Sequence, residues 1–134
     1  MVRTLKISEH DMQTIVCSWW AHACGTYGLP HYALLAIPNA GKRSYAAAAW
    51  LRAEGLQPGT PDLFLAVPKR DADPFWMGGL WIEMKRKPNK PDESQQKMIQ
   101  YLECAYTVRV CYSADEAISE IKRYLGAIRC RPSS

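Results

Sequence analysis

The chain lacks the cysteine and histidine spacing of a zinc site. Its five cysteines include no Cys-X-X-Cys pair, and none has a histidine nearby at zinc-ligand spacing. The count is odd, and the first four lie within apolar segments. These features favour reduced thiols that act as small core residues, and such thiols persist in a reducing cytoplasm.

Long apolar runs are also missing. No stretch approaches the roughly 20 apolar residues that cross a bilayer, and the opening MVRTLKISEHDMQ lacks the apolar segment of a secretion signal. We therefore expect a cytoplasmic protein without a membrane partner. No repeat, linker or low-complexity tract divides the chain, which predicts a single domain over 1–134, with its core at about 8–125 and a tail at 126–134.

The composition is that of an ordinary folded protein with a mildly basic charge. Hydrophobic residues make up 48% and charged residues 22%, which excludes a disordered chain. The net charge of +4 is compatible with a nucleic-acid partner but does not establish one. Four of the positive charges fall within six residues: Lys85, Arg86, Lys87 and Lys90.

The hydrophobic periodicity predicts eight elements in the order α-β-α-β-β-α-β-α. This order predicts an α/β fold in which helices flank a mixed central sheet. The predicted helices cover 9–24, 43–54 and 92–104, with a last helix after a capping box at 113–116. The predicted strands cover 33–37, 61–67, 79–85 and 107–112.

Three charged residues interrupt two of the predicted strands. Asp62 lies in PDLFLAV, and Glu83 and Lys85 lie in GLWIEMK, where period two places them on the face away from the apolar residues. A buried, unpaired charge costs several kcal/mol, so such charges need a reason. Carboxylates that hold Mg²⁺ or Mn²⁺ beside a lysine would supply one, and they predict metal-dependent phosphodiester hydrolysis if the two strands pair as a hairpin.

A simpler interpretation stays open at this point. Glu83 could form a surface ion pair with Lys85 or Lys87, while Asp62 caps a turn. The basic run could be a solvated loop.

Several segments in order resemble the VRR-NUC branch of the PD-(D/E)XK nucleases, in particular the small stand-alone proteins of bacteriophages. They are IPNAGKRS, AEGLQPGTPDLFL, GLWIEMKR and the helix that contains Gln95. The resemblance runs from about Glu9 to Leu125. It implies a restriction-endonuclease-like fold and cleavage of DNA that requires Mg²⁺ or Mn²⁺. If the protein is phage-encoded, its cytoplasmic location is the bacterial host cell.

The resemblance also implies roles for individual residues. Asp62 and Glu83 would be the principal metal ligands, joined by the Met84 backbone carbonyl and by Glu9, directly or through water. Lys85 would be the catalytic lysine. Gln95 matches the family glutamine, although its position also fits a capping box with the residue at 92, and both roles can hold at once. From the sequence itself, DNA contacts are expected from Arg86, Lys87 and Lys90 of the basic run. They are also expected from Lys42 and Arg43, which follow the IPNAG turn close to a helix N-terminus, and the family match adds support there.

Stand-alone members of the family are associated with branched or junction DNA and act as dimers. The resemblance therefore implies a homodimeric endonuclease similar to Holliday-junction resolvases. A catalytically silent DNA-binding module with the same fold is the alternative.

Overall fold

A four-stranded mixed sheet forms the centre of the protein. The computed structural model describes residues 6–38, 44–68 and 78–129, with side chains described through 126. Lys42 and Arg43 lie outside these residues. The helices are α1 (Glu9–Ala23), α2 (Tyr45–Ala53), α3 (Glu93–Leu102) and α4 (Ala114–Arg129); the strands are β1 (Leu34–Ala36), β2 (Leu63–Leu65), β3 (Leu80–Met84) and β4 (Thr107–Cys111). The predicted order of elements is confirmed.

The strands lie in chain order across the sheet, β1-β2-β3-β4. Strand β2 pairs antiparallel with both β1 and β3, and β4 runs parallel to β3. The predicted pairing of β2 with β3 is confirmed, and it sets Leu63 opposite Ile82. A parallel β3–β4 pair needs a crossover, which α3 supplies.

Alternation along the strands gives the sheet one wholly apolar face. Its buried residues are Leu63, Leu65, Leu80, Ile82 and Met84. Helices α1 and α4 cover this face with a second set of buried side chains that includes Val16, Trp20, Ala117, Ile121 and Leu125. Each large apolar side chain removed from water contributes about 1.5–3 kcal/mol to stability, so this layer is the core of the fold.

Side chains at the helix starts satisfy backbone N–H groups. The Ser8 hydroxyl accepts a hydrogen bond from the Asp11 N–H at 3.0 Å, and the Ser113 hydroxyl accepts one from the Glu116 N–H at 3.0 Å. The predicted cap at Ser113 is confirmed. At its other end, α4 continues through Gly126 to Arg129, although the pattern suggested a tail from 126. A glycine costs a helix only about 1 kcal/mol, and the preceding turn is anchored in the core.

The second face of the sheet carries aromatic and charged side chains. Phe64 and Trp81 are stacked with their ring centroids 4.3 Å apart, and Tyr106 meets both rings edge-on. Two residues further along, Asp62 just before β2 and Glu83 in β3 lie on the same face. The apolar packing thus fixes the strands that hold the two carboxylates.

Across the part of the chain that the structure describes, no helix is long and apolar enough to cross a membrane.

Candidate active site

Two carboxylates face each other just beyond the end of the β2–β3 pairing. Because Leu63 pairs with Ile82, continuing the antiparallel register by one position places Asp62 opposite Glu83. Asp62 is further held by the backbone, since its Oδ2 accepts a hydrogen bond from the Met84 N–H at 2.7 Å. The structure therefore brings together the two acids that the sequence predicted as metal ligands.

Glu83 is the buried member of the pair, with only 3% of its surface exposed. No other charged residue among those described is buried. Its Oε1 accepts a hydrogen bond from the Gln95 side-chain amide at 2.8 Å. Its Oε2 is buried and has no hydrogen-bond partner within the described ranges. A buried carboxylate oxygen without a partner is costly, and a bound cation would satisfy it.

Burial next to another acid favours the protonated forms of both carboxyls. Burial raises the pKa of Glu83 to about 8, and the negative charge of Asp62 contributes in the same direction. Burial likewise raises the pKa of Asp62, against the lowering effect of the Met84 N–H. A divalent cation bound between the two acids would favour their ionised forms, and their protons would pass to water.

Gln95 links the carboxylate pair to the start of α3. Its side-chain Oε1 accepts a hydrogen bond from the Asp92 N–H at 2.9 Å, and its own N–H donates to Asp92 Oδ1 at 2.9 Å. The amide nitrogen, which remains, donates to Glu83. Because the capping box uses the Gln95 side-chain oxygen, the side-chain nitrogen is the atom that faces Glu83. The role of Gln95 in capping α3 therefore supports its contact with Glu83.

Lys85 immediately follows β3 on the same face as Glu83. Its backbone N–H donates to the Cys111 carbonyl at 2.9 Å, which extends the β3–β4 pairing by one residue. Its positive charge lowers the pKa of Asp62 and of Glu83, as expected for an ammonium group close to both. The ammonium therefore belongs to the same site as the carboxylates.

Glu9 approaches the pair from the first turn of α1. Its negative charge raises the pKa of both Asp62 and Glu83. Over the described ranges, however, no three His, Cys, Asp or Glu side chains are close enough together to hold an ion by themselves. An ion at the pair would have two close carboxylates, with oxygens of water, backbone or substrate completing its shell, as Mg²⁺ commonly does.

Pro61 leaves the Met84 backbone carbonyl without a hydrogen bond from β2. The β2–β3 register, continued by two positions beyond Leu63 and Ile82, sets Pro61 opposite Met84. Proline has no N–H, so β2 cannot donate a hydrogen bond to the Met84 carbonyl there. The Met84 N–H is taken instead by Asp62. The carbonyl of Met84 is thus chemically suited to be a ligand, as the resemblance implies.

The predicted basic residues that the structure describes lie on the connection from β3 to α3. Arg86 accepts a turn hydrogen bond at its carbonyl from the Asn89 N–H at 2.9 Å. Lys87 Nζ lies 5.9 Å from the centre of the Tyr112 ring, and Lys90 is exposed. This basic loop enters α3 just before the Gln95 contact, so it borders the carboxylate site. The alternative of a surface ion pair involving Glu83 is wrong, because Glu83 is buried and forms no ion pair with any described residue.

A cavity of about 330 Å³ opens beside the carboxylates. Asp62 and Glu83 line one part of it, and its other walls come from α2, the segment before β2 and the start of α3. One wall residue, Arg52, was not predicted from the sequence. The alanine-rich pattern of α2 indicates a helix but not which of its side chains turn toward the carboxylates.

Comparison with known proteins agrees with this geometry. A family model described as the VRR-NUC domain matches residues 5–115. The chain belongs to the VRR-NUC family. A solved structure described as a VRR_NUC domain protein is similar to it at a TM-score of 0.71, with 24% identity and 92% of each chain covered. No curated protein matches the sequence.

Membership in the VRR-NUC family identifies a nuclease-type, DNA-binding domain. The resemblance stated from the sequence is therefore confirmed, and so is the predicted α/β class with helices flanking a mixed sheet. The structural likeness, at 24% identity, bears on the fold alone.

Proposed function

We propose that this VRR-NUC protein is a metal-dependent DNA endonuclease that hydrolyses phosphodiester bonds in branched or junction DNA. One observation carries the proposal: Asp62 and Glu83 lie side by side on adjoining strands, and a buried oxygen of Glu83 has no partner among the described residues. Family membership supports the nuclease part of the proposal. Family membership does not specify the metal dependence or the preference for branched DNA, and both are part of the proposal.

The proposed ligands for Mg²⁺ or Mn²⁺ are Asp62, Glu83 and the Met84 carbonyl. Glu9 would join them through water, since it is close enough to act on both carboxyl pKa values but forms no compact group with them. Hard divalent ions prefer oxygen donors of this kind. When bound, such an ion lowers the pKa of a coordinated water and offsets negative charge on the phosphate.

The protein's own residues would do the positioning. Gln95 holds Glu83 through Oε1, so Oε2, which has no partner among the described residues, would be the oxygen that binds an ion. The Met84 N–H holds Asp62 in the same way. Lys85, with its ammonium near both acids, would orient the attacking water and stabilise the charge that develops on the phosphate oxygens.

DNA would approach along the basic side of this site. The loop with Arg86, Lys87 and Lys90 lies between β3 and the helix that carries Gln95, so its charges could bind phosphates next to the cleaved one. Lys42 and Arg43 remain proposed phosphate contacts, because in the sequence they follow the IPNAG turn before a helix and the family resemblance adds support.

We also propose a homodimer, because a symmetric DNA junction has to be cut on two strands. One active centre can nick one strand, whereas paired nicks across a symmetric junction require two centres related by a two-fold axis. We therefore expect sedimentation at micromolar concentration to give a dimer. A monomer at all concentrations would argue against symmetric resolution of junctions, but not against hydrolysis.

A cleavage panel tests the proposal. Duplex, single-stranded, flap and four-way-junction DNA are each incubated with Mg²⁺, with Mn²⁺ and with a chelator. We expect product only with a divalent ion, and most rapidly from the branched substrates. Equal cleavage of plain duplex would overturn the structure specificity, and cleavage in chelator would overturn the metal dependence.

The alternative function is a catalytically silent DNA-binding module. It predicts salt-dependent binding that is unaffected by Mg²⁺, with no product from any substrate in the panel. The retained set of Asp62, Glu83 and Lys85 argues against it, because binding alone does not require a buried carboxylate with an unsatisfied oxygen.

A further inference from the structure

The cavity beside the carboxylates has an acidic side and a basic side. The acids Asp62, Glu83 and Asp92 all line it. Arg52, from the last turn of α2, stands on another wall and is the one positively charged lining residue within the described ranges. The opposed charges lie around a space of about 330 Å³.

No acid among the described residues pairs with Arg52. Three carboxylates share its cavity, yet none of the ion pairs formed by the described residues includes Arg52. Its side chain is exposed, and among the described residues its guanidinium forms no hydrogen bond; Arg52 bonds only through its backbone, within α2 and to the Gly55 N–H. The guanidinium therefore keeps its five N–H donors for a ligand.

A phosphate is the ligand that fits this arrangement. A guanidinium matches two phosphate oxygens with a planar fork of N–H groups. An anion that enters an acid-lined cavity is repelled unless a cation on the wall offsets the repulsion. A space of this size takes a group no larger than a small ligand, so it admits part of one strand and not a duplex.

We propose that Arg52 binds a non-bridging phosphate of the DNA strand next to the phosphate that is cleaved. The inference rests on the proposed function, because the cleaved phosphate has to lie at Asp62, Glu83 and Lys85. Arg52 comes from a different wall, so the phosphate it holds is a neighbouring one. Arg52 thus acts as a substrate-binding residue that sets the path of the strand through the cavity.

Binding curves with Ca²⁺ in place of Mg²⁺ test the contact without following cleavage. Affinity for a flap DNA is measured over a range of salt for wild type, Arg52→Ala and Arg52→Lys. We expect Arg52→Ala to weaken binding about tenfold and to reduce the slope of log K against log salt by about 0.7–0.9. Arg52→Lys keeps the charge and loses the fork, so it should keep the slope and only part of the affinity.

Arg123→Ala is the matched control. It also removes one positive charge, from an exposed arginine that is paired with Glu120 on α4, away from the cavity. It should leave both affinity and slope unchanged, and melting curves should show that all three variants are folded. If Arg52→Ala keeps the wild-type slope, or if Arg123→Ala loses as much, the contact does not exist.

Uncharged methylphosphonate linkages, placed one at a time along the strand, locate the phosphate. One position beside the cleavage site should weaken wild-type binding and cause no further loss in Arg52→Ala. Equal losses in both proteins at every position would overturn the inference. If one linkage weakens wild-type binding but not Arg52→Ala binding, and no product forms with Mg²⁺, the proposed nuclease activity is refuted but the Arg52 contact is supported. If the protein does not bind DNA at all, both proposals are refuted.

Discussion

At Glu83, one carboxylate oxygen is held by Gln95 and the other has no partner among the described residues. One oxygen of its neighbour Asp62 accepts a hydrogen bond from the Met84 N–H. Period two along the strands was enough to predict that Asp62, Glu83 and Lys85 leave the apolar face. It could not show that Gln95, twelve residues after Glu83, returns to the same carboxylate, because that contact depends on how α3 packs.

Lys85→Ala tests the lysine's role. Removing the ammonium takes away a charge that stabilises the developing negative charge, so the single-turnover rate with Mn²⁺ should fall about 10²–10³-fold. Lys97→Ala is the control, because Lys97 forms an exposed pair with Glu93 on the surface of α3. Full activity in Lys85→Ala would remove the lysine from the mechanism.

Gln95→Ala tests the positioning of the carboxylate. The substitution removes the donor to Glu83 and half of the capping box, which is worth about 1 kcal/mol. We expect a modest loss of stability and at least a tenfold loss of rate. Gln100→Ala, at an exposed glutamine on the same helix, should change neither. If Gln95→Ala loses about 1 kcal/mol of stability but keeps the wild-type rate, Gln95 only caps α3.

At the scale of elements, sequence periodicity predicted the four α-helices and four strands of the described residues in order, with ends that shifted by a few residues. It did not predict the two short 3-10 helices, Cys24–Tyr27 and His31–Ala33. Strand β2 is shorter than PDLFLAV because Pro61 cannot donate to the ladder and the ladder ends at Leu63. The segment before it takes the turn at Gly59, which packs against α3. No local pattern could show this contact, because it joins residues 35 positions apart, 59 and 94.

Gly59→Ala tests that contact. Gly59 has φ +83°, and a Cβ there would overlap the Ser94 carbonyl group at the start of α3. Strain at positive φ together with the overlap should cost at least about 2 kcal/mol of unfolding free energy, measured by denaturant titration. Gly25→Ala is the matched control, since nothing lies within 4 Å of its added Cβ. A Gly59→Ala protein as stable as Gly25→Ala would contradict the packing.

For the whole molecule, the carboxylate pair connects stability to pH. The pKa of Glu83 is raised to about 8 in the folded protein, so between its ordinary value of 4.5 and about 8 the folded state binds the proton more tightly than the unfolded state. Stability from this group is present below about 4.5 and is lost as pH rises through 8. Without divalent ions, the melting temperature should fall from pH 5 to pH 8.

Glu83→Gln should flatten this dependence, because its amide does not ionise. Mn²⁺ should raise the melting temperature of wild type more at pH 8 than at pH 5, since the ion binds the ionised pair, and should have little effect on Glu83→Gln. A wild-type protein that gains stability from pH 5 to pH 8 in chelator would show that Glu83 is not held protonated.

Cleavage by the Asp62→Asn protein tests the central claim most directly. The substitution keeps the shape of the side chain and an oxygen that can accept from the Met84 N–H, but it removes one of the two charges that would hold the ion. With Mn²⁺ and junction DNA, we expect wild type to cut and Asp62→Asn to give no product while still folding and binding the DNA. Cleavage at the wild-type rate by the Asp62→Asn protein would contradict the account.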